Sequence, residues 1–485
     1  MAKLSAVRRM LEAHGQSHLL QFYNELPADE QDRLLAQIAS IDFGALDGLI
    51  ERHVRNRPPA APAGEIAPAP VVPLKPADPA DADRRRAAGE LGRQLLAAGK
   101  VAAFVVAGGQ GTRLGYDGPK GCLEATPVTH KSLFQVFAEQ ILAASRRAGR
   151  PIPWYIMTSP ANDSPTRAFF SRHGYFGLGA ENVFFLLQGT MPVIGGSGPD
   201  AYSQWAGKCL LAGKGELATG PDGHGGCLKA LACSGALEDM AGRGVELISY
   251  FQVDNPLARC IDPLFIGLHA LAGAEMSAKC LPKRAPDERL GNFCLLDGKV
   301  AVIEYSDMPA ELACATTSAG RLQFSAGSIA IHVLSRSFVQ RLTAGGQAGL
   351  PYHRACKKVP FIDAAGQYVS PDEPNAVKLE TFIFDALPLA EQTLILETRR
   401  REEFSPIKNA SGQDSLATSL HDQVRRAAVW LEAAGLAVPR DAFGQVAAAI
   451  EISPLYADSA ERLKQKVAPD LSIPAAGSVY LGPKG

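Results

Sequence analysis

The sequence predicts an α/β fold: a mixed, mostly parallel central sheet, a helical N-terminal region and a small C-terminal domain. Three observations carry this. From about residue 83 to 400, short apolar runs alternate with helix-period stretches, the pattern of strands joined by helical crossovers. The run 101–107 (VAAFVVA) is apolar throughout and leaves directly into a glycine-rich segment, as a fully buried strand does. Asp297-Gly298 separates the apolar runs 293–296 and 299–305. That dipeptide accepts positive φ at both positions and closes a two-residue hairpin.

In order along the chain, residues 1–56 read as helices. Leu4, Val7, Met10 and Leu11 recur at helical spacing, as do Leu34, Leu35 and Ile38, with a turn between them at 27–30. Residues 57–82 hold eight prolines and few large apolar side chains, so they read as an extended linker or surface strap. Residues 83–405 form the main α/β unit. It contains the strand at 101–107, a helix at 132–147 opened by Ser132 and Gln135 as a capping box, and strands at 154–159, 183–188 and 245–253, the last running into Asp254. Ligands of such sheets gather beyond the carboxyl ends of the strands. Residues 406–485 read as a small terminal domain with an amphipathic helix at 421–434.

Composition narrows the function. A net charge of -1 argues against a general nucleic-acid binder, and 46% apolar residues suffice for a globular core. Charged residues interrupt the first twenty positions, so no secretory signal is expected there. No apolar run approaches the roughly 18 residues of a membrane span. Nine scattered cysteines, without zinc-ligand spacing, read as reduced thiols in a cytoplasm.

The segment Ala107-Gly108-Gly109-Gln110-Gly111-Thr112-Arg113-Leu114-Gly115, followed by Gly118-Pro119-Lys120-Gly121, is the richest in chemistry. Glycines let backbone N–H groups approach an anion, and Arg113 and Lys120 add charge for phosphate oxygens. Spacing excludes two common cradles. A dinucleotide fingerprint needs a third glycine where Leu114 stands, and a Walker loop needs its lysine before Ser or Thr at a helix start. The plain alternative is a glycine-rich turn with two solvated cations. Asp254, directly after a strand, reads as a carboxylate for a hard metal ion or as a turn residue.

These motifs, AGGQGTRLG and PKG, resemble the signature of the UDP-sugar pyrophosphorylases, and most closely the eukaryotic-type UDP-N-acetylhexosamine pyrophosphorylases. The segments at 154–159 (WYIMTS), 173–178 (HGYFGL), 252–257 (QVDNPL), 302–307 (VIEYSD), 403–410 (EFSPIKNA) and 451–455 (EISPL) resemble that family too, as does 15–26 (GQSHLLQFYNEL). The resemblance implies a Rossmann-like nucleotidyltransferase domain and a Mg²⁺-dependent uridylyltransferase. Its partners would be UTP and a sugar 1-phosphate, with UDP-sugar and pyrophosphate as products. The nucleophile is a phosphate oxygen already ionised at neutral pH, so charge and positioning replace a general base.

The resemblance assigns Arg113, Lys120, Asp254 and Lys408 to the transfer step, with Asp254 on the metal. It assigns Ala107, Gly108, Gly109, Gly111, Gln188, Gly223, Gly225 and Lys378 to UTP, and His224, Gly291, Glu304, Tyr305, Ser325, Phe382 and Phe384 to the sugar. Plainer readings stand beside these: Lys378 as a surface lysine on a helix with Glu380, Glu304 as an outward hairpin residue, Phe382 and Phe384 as core. Two places depart from the family. Its Gly-Asn-Gly-Gly is Gly223-His224-Gly225-Gly226 here, and its Asn-Ala-Gly-Asn is Ser325-Ala326-Gly327-Ser328. Both lie on the sugar side. The overall resemblance implies N-acetylglucosamine 1-phosphate as the substrate, while these departures leave glucose 1-phosphate or several sugar phosphates as the alternative. A catalytically silent UDP-sugar-binding protein is a further one.

Overall fold

Apolar runs that alternate with helix-period stretches pair into one large sheet. A computed structural model of the chain describes residues 2–56, 64–196, 200–346 and 348–483. The sheet strands, numbered here along the chain, are β1 (Ile66–Pro68), β2 (Val101–Val106), β3 (Trp154–Thr158), β4 (Val183–Leu187), β5 (Leu247–Gln252), β6 (Met276–Pro282), β7 (Asn292–Leu296), β8 (Lys299–Ile303), β9 (Ala326–Ser335) and β10 (Thr393–Glu397). Strands β5, β2, β3 and β4 lie side by side and parallel. The long β9 runs antiparallel to both β5 and β6, and β6 is parallel to β10. The β7–β8 hairpin turns on Asp297 and Gly298, both at positive φ (48° and 79°), as the dipeptide requires.

The chain divides into two units, each discontinuous in sequence. The larger comprises Ala63–Gln188, Leu228–Gly349 and Ala386–Gly485, and contains the sheet. Its core is aromatic, with Phe134, Phe137, Trp154, Phe170 and Phe251 all excluded from solvent. The smaller comprises Met1–Pro62, Gly189–Cys227 and Leu350–Asp385. Its core joins Leu11, Leu34 and Ile38 of the N-terminal helices to Ile194, Leu211 and Val377.

Local differences from the sequence reading have physical causes. The supposed turn at 27–30 is the first turn of the helix Ala28–Ala39, whose early Asp29 and Glu30 suit a helix N-terminus. The capping box at Ser132 forms by half. Ser132 Oγ accepts from Gln135 N at 3.1 Å, but the Gln135 amide donates to Glu139 Oε1 instead. Of the proline-rich stretch, 57–63 lie outside the described residues. The rest is a strap: β1 pairs with β7, while Val72 exchanges backbone hydrogen bonds with Ile395 and Glu397. It ends earlier than predicted, because Asp78 caps the helix Pro79–Ala97. The C-terminal helix spans Leu416–Ala433, capped by Ser415. Among the described residues no helix is long and apolar enough to cross a membrane.

Candidate active site

Four parallel strands end on one side of the sheet, and each delivers site residues there. Strand β2 runs into Ala107 and the glycine loop, β3 into Ser159, β4 into Gln188, and β5 into Asp254. The glycine loop folds back on itself: Gly111 N donates to Gly118 O at 2.9 Å, and Lys120 N to Gly109 O at 3.1 Å. A Cβ on Gly111 would lie 2.6 Å from the Tyr116 ring, so this position admits no side chain. A Cβ on Gly108 would lie 2.6 Å from Gln188 Oε1, which brings the expected uracil-reading amide against the loop backbone. Asn162, fully buried, grips the loop from outside. Its amide donates to Ala107 O at 2.9 Å and Gly109 O at 3.2 Å, while its oxygen accepts from Ser159 N at 2.8 Å.

The loop borders a cleft of about 610 Å³ whose lining includes Gly109, Thr112, Arg113, Lys120, Asp254, Arg289, Lys408 and Asp414. All four residues assigned to the transfer step therefore face one space. Lys120 Nζ stands 3.8 Å from Asp254 Oδ2 and donates to Ile407 O at 3.2 Å. Asp414, at φ 55°, turns its carbonyl to accept from both Lys408 N and Asn409 N, which closes the lysine loop. Burial pushes its carboxyl above the usual carboxylate range, and Asp254 adds to this while Lys408 opposes it.

Two residues that sequence reasoning passed over tie Asp254 to Lys408. Asn255 Nδ2 donates to Glu403 O at 2.7 Å, its Oδ1 accepts from Ser405 N at 3.0 Å, and Ile407 N donates to Asp254 O at 2.8 Å. Behind this splice lies Lys279, with a side chain 0% exposed, bonded to Glu403 Oε2 at 2.6 Å and Asp262 Oδ2 at 2.7 Å. Burial would raise the Asp262 carboxyl, but Lys279 and Arg259 outweigh it and hold it low. The only sequence signal was Asn beside Asp254. The partners of Asn255 stand about 150 positions away in the chain.

The remaining residues fall into two groups. In the larger unit, Gly291 is close to Glu304: a Cβ there would meet Val302 at 2.6 Å and Glu304 Oε1 at 3.3 Å. Gly291 O also accepts from Ser328 N, and Ser325 O from Lys283 N. Tyr305 is 43% exposed beside them in sequence. In the smaller unit, the 222–226 loop packs on the 381–382 backbone. A Cβ on Gly223 would lie 2.3 Å from Thr381 O, and one on Gly225 2.7 Å from Phe382 N. These glycines are required by that packing, beyond any approach to a base. Lys378 is on the strand Ala376–Thr381, not a helix, and its stem passes over Gly220. His224 and Phe382 stack at 5.1 Å, with Phe384 buried against both.

Parallel strand ends opening on a cleft lined by cations, carboxylates and a glycine loop define a nucleotide-binding α/β protein. A family described as UTP–glucose-1-phosphate uridylyltransferase matches residues 66–448, and the chain belongs to that family. The chain is 37% identical to the human UDP-N-acetylhexosamine pyrophosphorylase-like protein 1, covering 96% of this chain and 95% of that one. It is 34% identical to UDP-N-acetylglucosamine diphosphorylase 1 of Arabidopsis thaliana, covering 95% and 90%. The solved structure of the uridine diphosphate N-acetylglucosamine pyrophosphorylase from Trypanosoma brucei, in complex with an inhibitor, superposes with a TM-score of 0.82 at 25% identity, covering 100% of this chain and 98% of that one.

Proposed function

We propose that the protein transfers the uridylyl group of UTP to a sugar 1-phosphate, N-acetylglucosamine 1-phosphate foremost, releasing pyrophosphate. The observation that carries this reading is the convergence of Arg113, Lys120, Asp254 and Lys408 on one cleft. Such a set suits phosphoryl chemistry, in which fixed charge stabilises the transition state and no triad is needed. The names of the relatives supply the sugar. In this reading the glycine loop and Gln188 of the larger unit hold UTP, and Gly291, Glu304, Tyr305 and Ser325 of the same unit belong to the sugar.

Among the described residues, no three His, Cys, Asp or Glu side chains gather into an all-protein metal site. Mg²⁺ typically takes one or two carboxylates and completes its shell with water and substrate phosphates. Asp254, lining the cleft within 3.8 Å of a phosphate-seeking lysine, fits that role. The ion would neutralise phosphate charge there. Nine cysteines, none of them in a disulfide among the described residues, favour a reducing cytoplasm as the place of action.

The test is pyrophosphate release from UTP against a panel of sugar 1-phosphates, repeated with ATP, dTTP and GTP. Release with UTP and a sugar 1-phosphate together, and not with UTP alone, is the expected result. Binding of UDP-sugar without turnover contradicts it. A second reading concerns selectivity. His224 and Ser325 replace two family asparagines, so a particular amide donor and acceptor are lost at each place. Glucose 1-phosphate then competes with its N-acetylated relative. A kcat/KM preference of about a hundredfold for the N-acetyl sugar, ~3 kcal/mol, contradicts this.

A further inference from the structure

The Phe382 ring is stacked against two imidazoles, and only His224 was anticipated. His353, on the strand Tyr352–Lys357, stacks on Phe382 with ring centres 4.5 Å apart and planes 25° off parallel, closer than His224 at 5.1 Å and 19°. Both imidazoles are tied to the residues that follow Phe382. His353 Nε2 lies 2.8 Å from Asp385 Oδ2, in a pair whose side chains are 34% and 15% exposed. His224 Nδ1 accepts from Ile383 N at 3.1 Å. Phe384 meets both imidazoles edge-on, at 61° to His224 and 68° to His353. An imidazole turns easily about χ2 unless a hydrogen bond fixes it, because that torsion is broad. Here a carboxylate fixes one ring and a backbone N–H the other.

We propose that His353 and Asp385 are positioning residues for sugar selection: Asp385 fixes the His353 ring, His353 fixes Phe382, and Phe382 sets the plane in which His224 stands. This rests on the reading of Phe382 and His224 as sugar-side residues. Neither His353 nor Asp385 is required to touch the sugar. Their effect reaches it through two stacked rings, so it depends on the shape of the sugar and spares UTP. A pocket that discriminates by fitted polar groups loses selectivity when those groups are misplaced by a fraction of an ångström.

The experiment measures kcat/KM for N-acetylglucosamine 1-phosphate and glucose 1-phosphate in the full-length protein, together with KM for UTP. In His353→Ala, the ratio of the two kcat/KM values is expected to move by about tenfold, with KM for UTP within about twofold of the parent. Asp385→Ala moves the ratio in the same direction, and the double variant adds little, because the two act as one unit. His353→Phe keeps the stack without the carboxylate bond and falls between. If His353→Ala does not fold, Asp385→Ala and His353→Phe decide the matter. An equal fall for both sugars with an unmoved ratio means that the pair only supports packing, and overturns the inference. A parent protein inactive with every sugar 1-phosphate overturns the uridylyltransferase reading instead.

Discussion

The Asp254 carboxylate is the residue on which the proposed chemistry turns. Asp254→Asn keeps size and removes charge. We expect the fold to survive and turnover to fall by about a hundredfold or more, as when one preorganised charge contact is lost; normal turnover at limiting Mg²⁺ makes Asp254 a turn residue. Lys120→Ala and Lys408→Ala should lower turnover by similar factors for every sugar 1-phosphate, since both line the cleft proposed to hold the phosphates. Loss of one sugar alone moves the residue out of that cleft. Arg113 and Lys120 stood out in the sequence through the glycine-rich segment they sit in, whereas Asp254 also read as a turn residue and was singled out by the family resemblance; all three line one cleft. Asn162 did not stand out. Its importance lies in two carbonyls more than fifty positions away, and nothing in its own neighbourhood announces them. Asn162→Ala takes their side-chain partner from Ala107 O and Ser159 N and leaves Gly109 O only the Lys120 N–H, so ~2 kcal/mol of stability and a raised KM for UTP are expected, read by urea unfolding and kinetics.

Between elements, Asn255 splices the segment after β5 to the segment carrying Lys408. Asn255→Ala should lower kcat by about tenfold through misplacement of Asp254 and Lys408, with both residues intact; kcat unchanged shows that the splice does not matter. The same layer holds a pH dependence. His269 is 1% exposed on the helix Pro263–Leu271, and burial pushes its pKa down to about 4. The unfolded chain then binds a proton near pH 6.5 that the folded chain refuses until about pH 4. Stability is thus full above the unfolded value and falls with pH through that window. Between pH 7 and 5 the expected loss is ~2 kcal/mol, and His269→Gln should flatten that slope in urea titrations. At this scale the sequence was most legible for strands and for the hairpin, whose apolar runs and Asp-Gly turn leave little choice. It was least legible at ends. Gln135 could complete the capping box, but a carboxylate at Glu139 made a better partner for its amide.

Over the whole chain, the C-terminal segment of the larger unit is fastened to an early segment of the same unit by buried charge. Glu451 accepts from Val128 N at 3.0 Å, Thr129 N at 2.7 Å and the Thr129 hydroxyl, and stands 3.7 Å from Lys131. Burial acts to lower the Lys131 ammonium, but Tyr480 and Glu139 outweigh it and leave it raised. Glu451→Ala strips this clasp and is expected to destabilise by ~3 kcal/mol in urea unfolding; a change under ~0.5 kcal/mol means that water replaces the carboxylate without loss. Neither the clasp nor the discontinuous units could be read along the chain, because each joins residues hundreds of positions apart.

In the proposed reaction a phosphate oxygen of the sugar 1-phosphate attacks the α-phosphorus of UTP and pyrophosphate leaves. This is tested most directly by supplying N-acetylglucosamine 1-phosphate with UTP radiolabelled either at the α or at the γ phosphate. The α label is expected in UDP-sugar and the γ label in pyrophosphate, with no label released when the sugar phosphate is omitted. Label from the γ position in free phosphate, or both labels remaining in UTP, contradicts it.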